Sequence, residues 1–153
     1  MIKHGNAFKR LNDQRGLTII ELLLVILIVS IIGLLSASFY SRFLTQNAVD
    51  NTVSQMVSSF RKAQVYSMMG KQNGVWGVRY TTSPKKITLY LVGNSAFDES
   101  FDVNSTVAIN DFTDITFAKI TGLPSAAPTI TITGNNNSKT ITVNNQGVVS
   151  RNN

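Results

Sequence analysis

The chain has 153 residues, room for one domain plus an appendage, and its 43% hydrophobic and 14% charged content is that of a folded protein rather than a disordered one. It has no cysteine, which excludes disulfides, thiolate metal sites and thiol catalysis, and its one histidine is His4. Of the net charge of +6, half lies before Gly16, where Lys3, Lys9, Arg10 and Arg15 stand against Asp13, so no strongly basic nucleic-acid surface is evident after Gly16.

Residues 1–16 are polar and basic without periodicity. Lys and Arg beside a membrane span resist translocation, so this segment is expected on the cytoplasmic side. The positive region of a signal peptide is the alternative. From Leu17 to Leu35 the chain is almost unbroken apolar sequence. As a helix it is about 28 Å long, close to the ~30 Å of a bilayer's hydrocarbon core, and it predicts one span with the amino end inside. Ser36-Ala37-Ser38 supplies the small residues of a signal cleavage site. A cleaved signal, however, has an apolar region of only ~7–15 residues and no internal acid.

Glu21 is the anomaly in that run. A charged acid at the centre of a span costs ~2.5–3.5 kcal/mol on insertion scales, less near the interface, so it calls for a partner. No base lies between Leu17 and Leu35. A cut after Gly16 gives Leu17 a free amine, cationic near neutral pH with an ordinary pKa of ~7.7–8. That amine, its own or a neighbouring subunit's, is the nearest counter-charge. Alternatively Glu21 snorkels to the headgroups without a role.

Gly16, the apolar helix directly behind it, Glu21 at the fifth position after it and a short basic leader together resemble the amino-terminal signature of type IV prepilins and type II secretion pseudopilins, over about residues 10–40. The resemblance implies a membrane-embedded prepilin peptidase and N-methyltransferase that cuts between Gly16 and Leu17 and methylates Leu17. It implies a subunit-to-subunit role for Glu21 in assembly. The partners it implies are that peptidase, other pilin or pseudopilin subunits, and cytoplasmic membrane lipid before assembly. Leu17 stands where the family usually has Phe, and Ser38 where many major pilins have a helix-breaking Pro. Gly33 alone loosens the helix, by ~1 kcal/mol relative to Ala, so a straighter helix or a minor subunit is the expectation.

The helical pattern continues through Phe39, Phe43, Val49, Val53, Met56, Val57, Phe60 and Ala63 at spacings of three and four, and Gly70 and Asn73-Gly74 stop it. A helix from Thr18 to Met69 is ~78 Å long. Period-two segments follow at Val75–Tyr80, Lys86–Val92, Val107–Ile109, Ile115–Lys119, Thr129–Thr133, Lys139–Val143 and Val148–Arg151. Ser83-Pro84 forbids a regular helix between the first two. The clearest pair is a hairpin over the loop Gly134–Ser138, with Ile130 and Ile132 opposed to Ile141 and Val143, and Asn144–Gly147 turns the last strand back. The predicted fold class is α+β: a long helix, transmembrane then amphipathic, packed on an antiparallel β-sheet head. Its divisions are a removed leader 1–16, a transmembrane helix 17–38, an amphipathic helix 39–72 and a head 73–153. The order of long helix, AsnGlyValTrpGlyVal, IleThrPheAla, GlyLeuPro, Thr/Ile hairpin and AsnAsnGlnGlyValVal is similar to the H-type minor pseudopilins and related minor pilins.

Hydrolase, zinc and nucleotide motifs are absent, and no enzyme activity or cofactor is expected. Asp98-Glu99-Ser100-Phe101-Asp102-Val103-Asn104, taken as a loop, with Asp111 and Asp114 beyond it, has the oxygen density of a calcium site but no EF-hand spacing. The sequons at Asn104 and Asn136 are assigned no function. Trp76 and Tyr80 flank Arg79 and offer a stacking surface for single-stranded DNA, but with Val78 they share one strand face, and core packing is the simpler account. The functional expectation is a minor subunit of a type IV pilus or type II secretion pseudopilus, carried in the inner membrane with the head outside. A DNA-binding minor pilin of an uptake pilus and a membrane-anchored domain that never polymerises are the alternatives.

Overall fold

A computed structural model describes residues 18–110, 112, 114–135 and 137–152, without the side chains of 36–38. One helix, α1 (Ile19–Met68), precedes eight strands: β1 (Trp76–Thr82), β2 (Lys85–Leu91), β3 (Asn94–Asp102), β4 (Ala108–Asn110), β5 (Asp114–Phe117), β6 (Thr129–Gly134), β7 (Asn137–Val143) and β8 (Val149–Asn152). The chain forms two compact units, Met1–Ser38 and Phe39–Asn153. The helix-then-antiparallel-strand layout matches the α+β class expected from the sequence.

In the first unit, Thr18 starts the helix. Its Oγ1 accepts the Glu21 backbone N–H at 3.3 Å, satisfying one of the donors that a helix start leaves open. Thr-x-x-Glu is the spelling of a capping box, and an acid in the first turn also suits the positive end of the helix dipole. Farther along, the Ser30 hydroxyl donates to the Ile26 carbonyl at 2.7 Å, so this polar group needs no outside partner.

In the second unit, α1 buries Val49, Val53, Met56, Phe60 and Ala63, the three-and-four spacing of one helix face. Thr45, Thr52 and Ser59 on the packed side return their hydroxyls to carbonyls one turn back. The stripe is shorter than its sequence suggests: Phe39 and Phe43 are exposed, and burial starts at Thr45. After Met68 the helix closes at Gly70, left-handed at φ 61, with Met69 N–H bonded to Val65 O and Gly70 N–H to Ser67 O.

The strands form two antiparallel sheets, ordered β3-β2-β1-β5 and β4-β6-β7-β8, where the sequence suggested one. Trp76, Val78 and Tyr80 of β1, Ile87 and Leu89 of β2, and Ile115 and Phe117 of β5 turn to one buried side, while Ile130, Ile132, Ile141 and Val143 supply the second sheet. These side chains and the helix face make one core cluster. Phe60 joins helix to strand side edge-on, its ring centroid 6.4 Å from Phe117 and 5.5 Å from Phe112.

Two local expectations are corrected. Asn94–Asp102 is an edge strand, not a loop, with Lys86, Ile87 and Thr88 opposite Asp102, Phe101 and Ser100. None of its residues is fully buried, so it lacks the apolar alternation that marks a half-buried strand. In the β6–β7 hairpin Ile130 faces Ile141, but Ile132 faces Lys139 rather than Ile141 or Val143, because pairing continues to Gly134 opposite Asn137 and the connection is shorter than Gly134–Ser138. The four side chains still share one buried face, since the strand period is unchanged.

Candidate functional site

The amino-terminal half of α1 is the feature that a folded head does not need. Every large hydrophobic residue described from Ile19 to Leu35 is exposed, from 46% at Val25 and Ile28 to 81% at Ile19. Soluble monomers rarely leave so much contiguous apolar surface to water, and such surfaces mark membrane or protein contact. By length and composition α1 is able to cross a membrane, and no part of its apolar window is buried. An added Cβ at Gly33 would meet nothing within 4 Å, so no contact there requires glycine.

Glu21 lies in this exposed segment, and its carboxylate has no ion pair among the described residues. Its backbone N–H is engaged by the Thr18 hydroxyl. Thr18, where the sequence places the start of the helix, also caps it, a role signalled by the Thr-x-x-Glu spacing. Gly16 and Leu17 lie outside the described residues.

The other candidates are dispersed. Of the acidic residues, Asp98 lies 3.7 Å from Arg79, Glu99 3.2 Å from Lys62 and Asp102 3.5 Å from Lys86, along β3 and its neighbours. Asp114 accepts a hydrogen bond from Tyr90 at 2.7 Å, Asn104 Oδ1 closes a turn onto Thr106, and Asp111 lies outside the described residues. Among the described residues no three acidic or imidazole groups converge as a metal site would require. Burial and then the Asp114 carboxylate hold the Tyr90 hydroxyl well above its ordinary pKa, while burial alone raises that of Tyr80.

Trp76 and Tyr80 are buried, as their shared face with Val78 suggested, and therefore present no stacking surface. Trp76 Nε1–H donates to the Lys71 carbonyl at 3.0 Å, and the Tyr66 ring meets its indole edge-on at 5.0 Å. Arg79 stacks instead on Tyr90, 4.8 Å from the ring centroid. Lys85 is tied to the carbonyls of Ser105 and Val107 at 2.8 and 2.7 Å.

Neither the curated proteins nor the solved structures contain a match to this chain. Residues 11–37, which hold Gly16, Leu17, Glu21 and the apolar run, match the family model described as the prokaryotic N-terminal methylation motif. That motif supports a type IV prepilin-like protein: a structural, pilin-like substrate of prepilin peptidase whose apolar helix is consistent with membrane anchoring.

Proposed function

We propose that the chain is a minor structural subunit of a type IV pilus or type II secretion pseudopilus. Residues 1–16 are a cytoplasmic leader removed by prepilin peptidase between Gly16 and Leu17, and Leu17 is then N-methylated. Residues 17–38 span the inner membrane, 39–72 form the amphipathic helix and 73–153 the external head. On assembly the helix leaves the bilayer and packs against the helices of neighbouring subunits. One observation supports this reading: within the matched motif, an apolar helix face is unburied and holds one carboxylate that has no ion pair among the described residues. An ordinary anchor has no use for that carboxylate, whereas a neighbour's cationic amino terminus neutralises it on docking. The similarity of the head's sequence order to H-type minor pseudopilins, and Ser38 at the position of the usual proline, favour a minor over a bulk component.

Glu21→Ala tests the role. The capping bond uses the Glu21 backbone N–H, so alanine keeps it and removes the carboxylate alone. The variant is expected in the membrane fraction at wild-type level but depleted in sheared or isolated filaments. Wild-type incorporation into filaments contradicts the role assigned to Glu21.

A further inference from the structure

Along the carboxyl half of α1 the second unit has an open groove of about 640 Å³, lined by Val57, Arg61, Lys62 and Val65 of the helix and by Val149 and Arg151 of β8. Strand β8 is an edge of its sheet, so one side of its backbone has no neighbouring strand. The ladder bonds fix which residues that concerns. Val143 N–H bonds to Pro128 O on the β6 side of β7, and Asn144 N–H bonds to Val148 O on the β8 side. Bonding direction alternates along an antiparallel strand, so Thr142 and Thr140 bond toward β8, and Ser150 and Asn152 opposite them bond back. The N–H and C=O groups of Val149 and Arg151 therefore point to the open edge, and these are the two β8 residues that line the groove.

The groove carries charge of one sign. No carboxylate is among the described residues that line it, and of its cations only Lys62 has an ion pair, with Glu99 at 3.2 Å. Arg61 and Arg151 are exposed and have none among the described residues. Val57, Val65 and Val149 supply its apolar part, with Val65 exposed. Alternating backbone donors and acceptors are matched by a second extended backbone. A phosphate chain or a free anion accepts from the two N–H groups but offers the two carbonyls no donor. Bases also lack an open ring to stack on, since Tyr66, the one aromatic residue lining the groove among the described residues, holds the Lys71 ammonium 3.6 Å from its centroid and meets Trp76 edge-on.

We propose that this groove takes an extended, acidic peptide segment of a partner protein as an added strand on β8. The segment's backbone exchanges hydrogen bonds with Val149 and Arg151, its carboxylates meet Arg61 and Arg151, and its apolar side chains lie on Val57 and Val65. Strand β8 is four residues long, so a short segment suffices. Every residue concerned belongs to the second unit, and the site is independent of cleavage, methylation and filament assembly.

The test uses the full chain in phosphatidylcholine nanodiscs and a fluorescein-labelled peptide, Thr-Glu-Val-Glu-Val-Glu-Thr, followed by fluorescence anisotropy. Binding is expected at low salt and weakens as salt rises. The same peptide with Lys in place of Glu is expected not to bind. Arg61→Ala and Arg151→Ala are each expected to weaken binding about threefold to tenfold. Arg42→Ala, at an exposed cation of α1 outside the groove, is expected to leave it unchanged. Arg151→Pro is expected to weaken it further than Arg151→Ala, because proline removes the outward N–H and leaves the β7 ladder in place. Amide hydrogen exchange resolved to single residues reads the added strand directly, as slower exchange at Val149 and Arg151 with peptide bound. Unchanged emission from buried Trp76 shows that each variant is folded. No binding of the Glu peptide at low salt, equal binding of the Glu and Lys peptides, or undiminished binding by Arg61→Ala and Arg151→Ala overturns the proposal. So does binding that leaves exchange at Val149 and Arg151 unchanged, which is charge attraction alone, or an oligothymidine that displaces the peptide and binds more tightly, which makes the partner a nucleic acid.

Discussion

Ser67→Ala is expected to destabilise the head far beyond what one hydroxyl on a helix surface contributes. Ser67 is fully buried at the end of α1. Its Oγ accepts the Trp76 backbone N–H at 2.9 Å and lies 3.5 Å from the Trp76 carbonyl, to which it donates. Its own carbonyl accepts Gly70 N–H at 3.1 Å and Ile120 N–H at 3.0 Å. One residue therefore joins the helix end, the first strand and the turn after β5. Alanine keeps the carbonyl bonds and almost the same volume, so the loss is the orphaned Trp76 N–H, worth ~1–3 kcal/mol for a buried donor. With a urea m-value of about 1–1.5 kcal/mol/M for a domain of this size, the midpoint falls by about 0.7–3 M. Urea unfolding of the head, residues 39–153, followed by the emission of Trp76, the chain's only tryptophan, measures this at the affected bond. Exposed Ser58→Ala is the control. A Ser67→Ala midpoint within about 0.3 M of that control, smaller than any orphaned-donor cost, refutes the reasoning.

Two further perturbations follow from the head's packing. Gly77→Ala puts a Cβ 2.8 Å from the Ile115 carbonyl and 2.9 Å from the Tyr90 ring, on a strand held between β2 and β5, so the backbone must shift. A loss of ~1–3 kcal/mol is expected, seen as a thermal midpoint lower by at least about 4 °C. Above pH 10 the raised pKa of Tyr90 sets a direction. The folded state holds this proton more tightly than the unfolded chain, so the contribution is complete below the ordinary tyrosine pKa of ~10 and is lost as pH rises beyond it. The urea midpoint should fall between pH 9 and pH 11, and fall less in Tyr90→Phe, with raised Tyr80 supplying the remainder. An equal decline in both proteins would contradict the assignment.

Where the sequence was legible, one period dominated. The spacing of Val49, Val53, Met56, Phe60 and Ala63 marked the packed helix face, and the alternation of Trp76, Val78 and Tyr80 separated core from surface without any partner in view. The same rule overextended the stripe to Phe39 and Phe43, because periodicity states that a face is apolar and not how far the sheets reach along it. Strand β3 was illegible for the opposite reason. It is an edge strand whose acids meet Lys62, Arg79 and Lys86 rather than a core, so its composition looks like a loop's. The division into two sheets and the facing of Ile132 with Lys139 depend on long-range pairing and turn length, which local pattern does not encode. At the candidate site Glu21 was evident from the sequence as the lone acid in the apolar run. The helix start at Thr18 was equally legible; the cap that Thr18 Oγ1 makes on the Glu21 N–H was spelled only by Thr-x-x-Glu.

If Glu21 and the apolar run belong to a processed assembly subunit, the mass of the intact membrane-extracted protein shows it. A chain beginning at Leu17, lighter by residues 1–16 and heavier by one methyl group, is expected when prepilin peptidase is present. The full-length mass under the same conditions contradicts it and leaves the helix an uncut anchor.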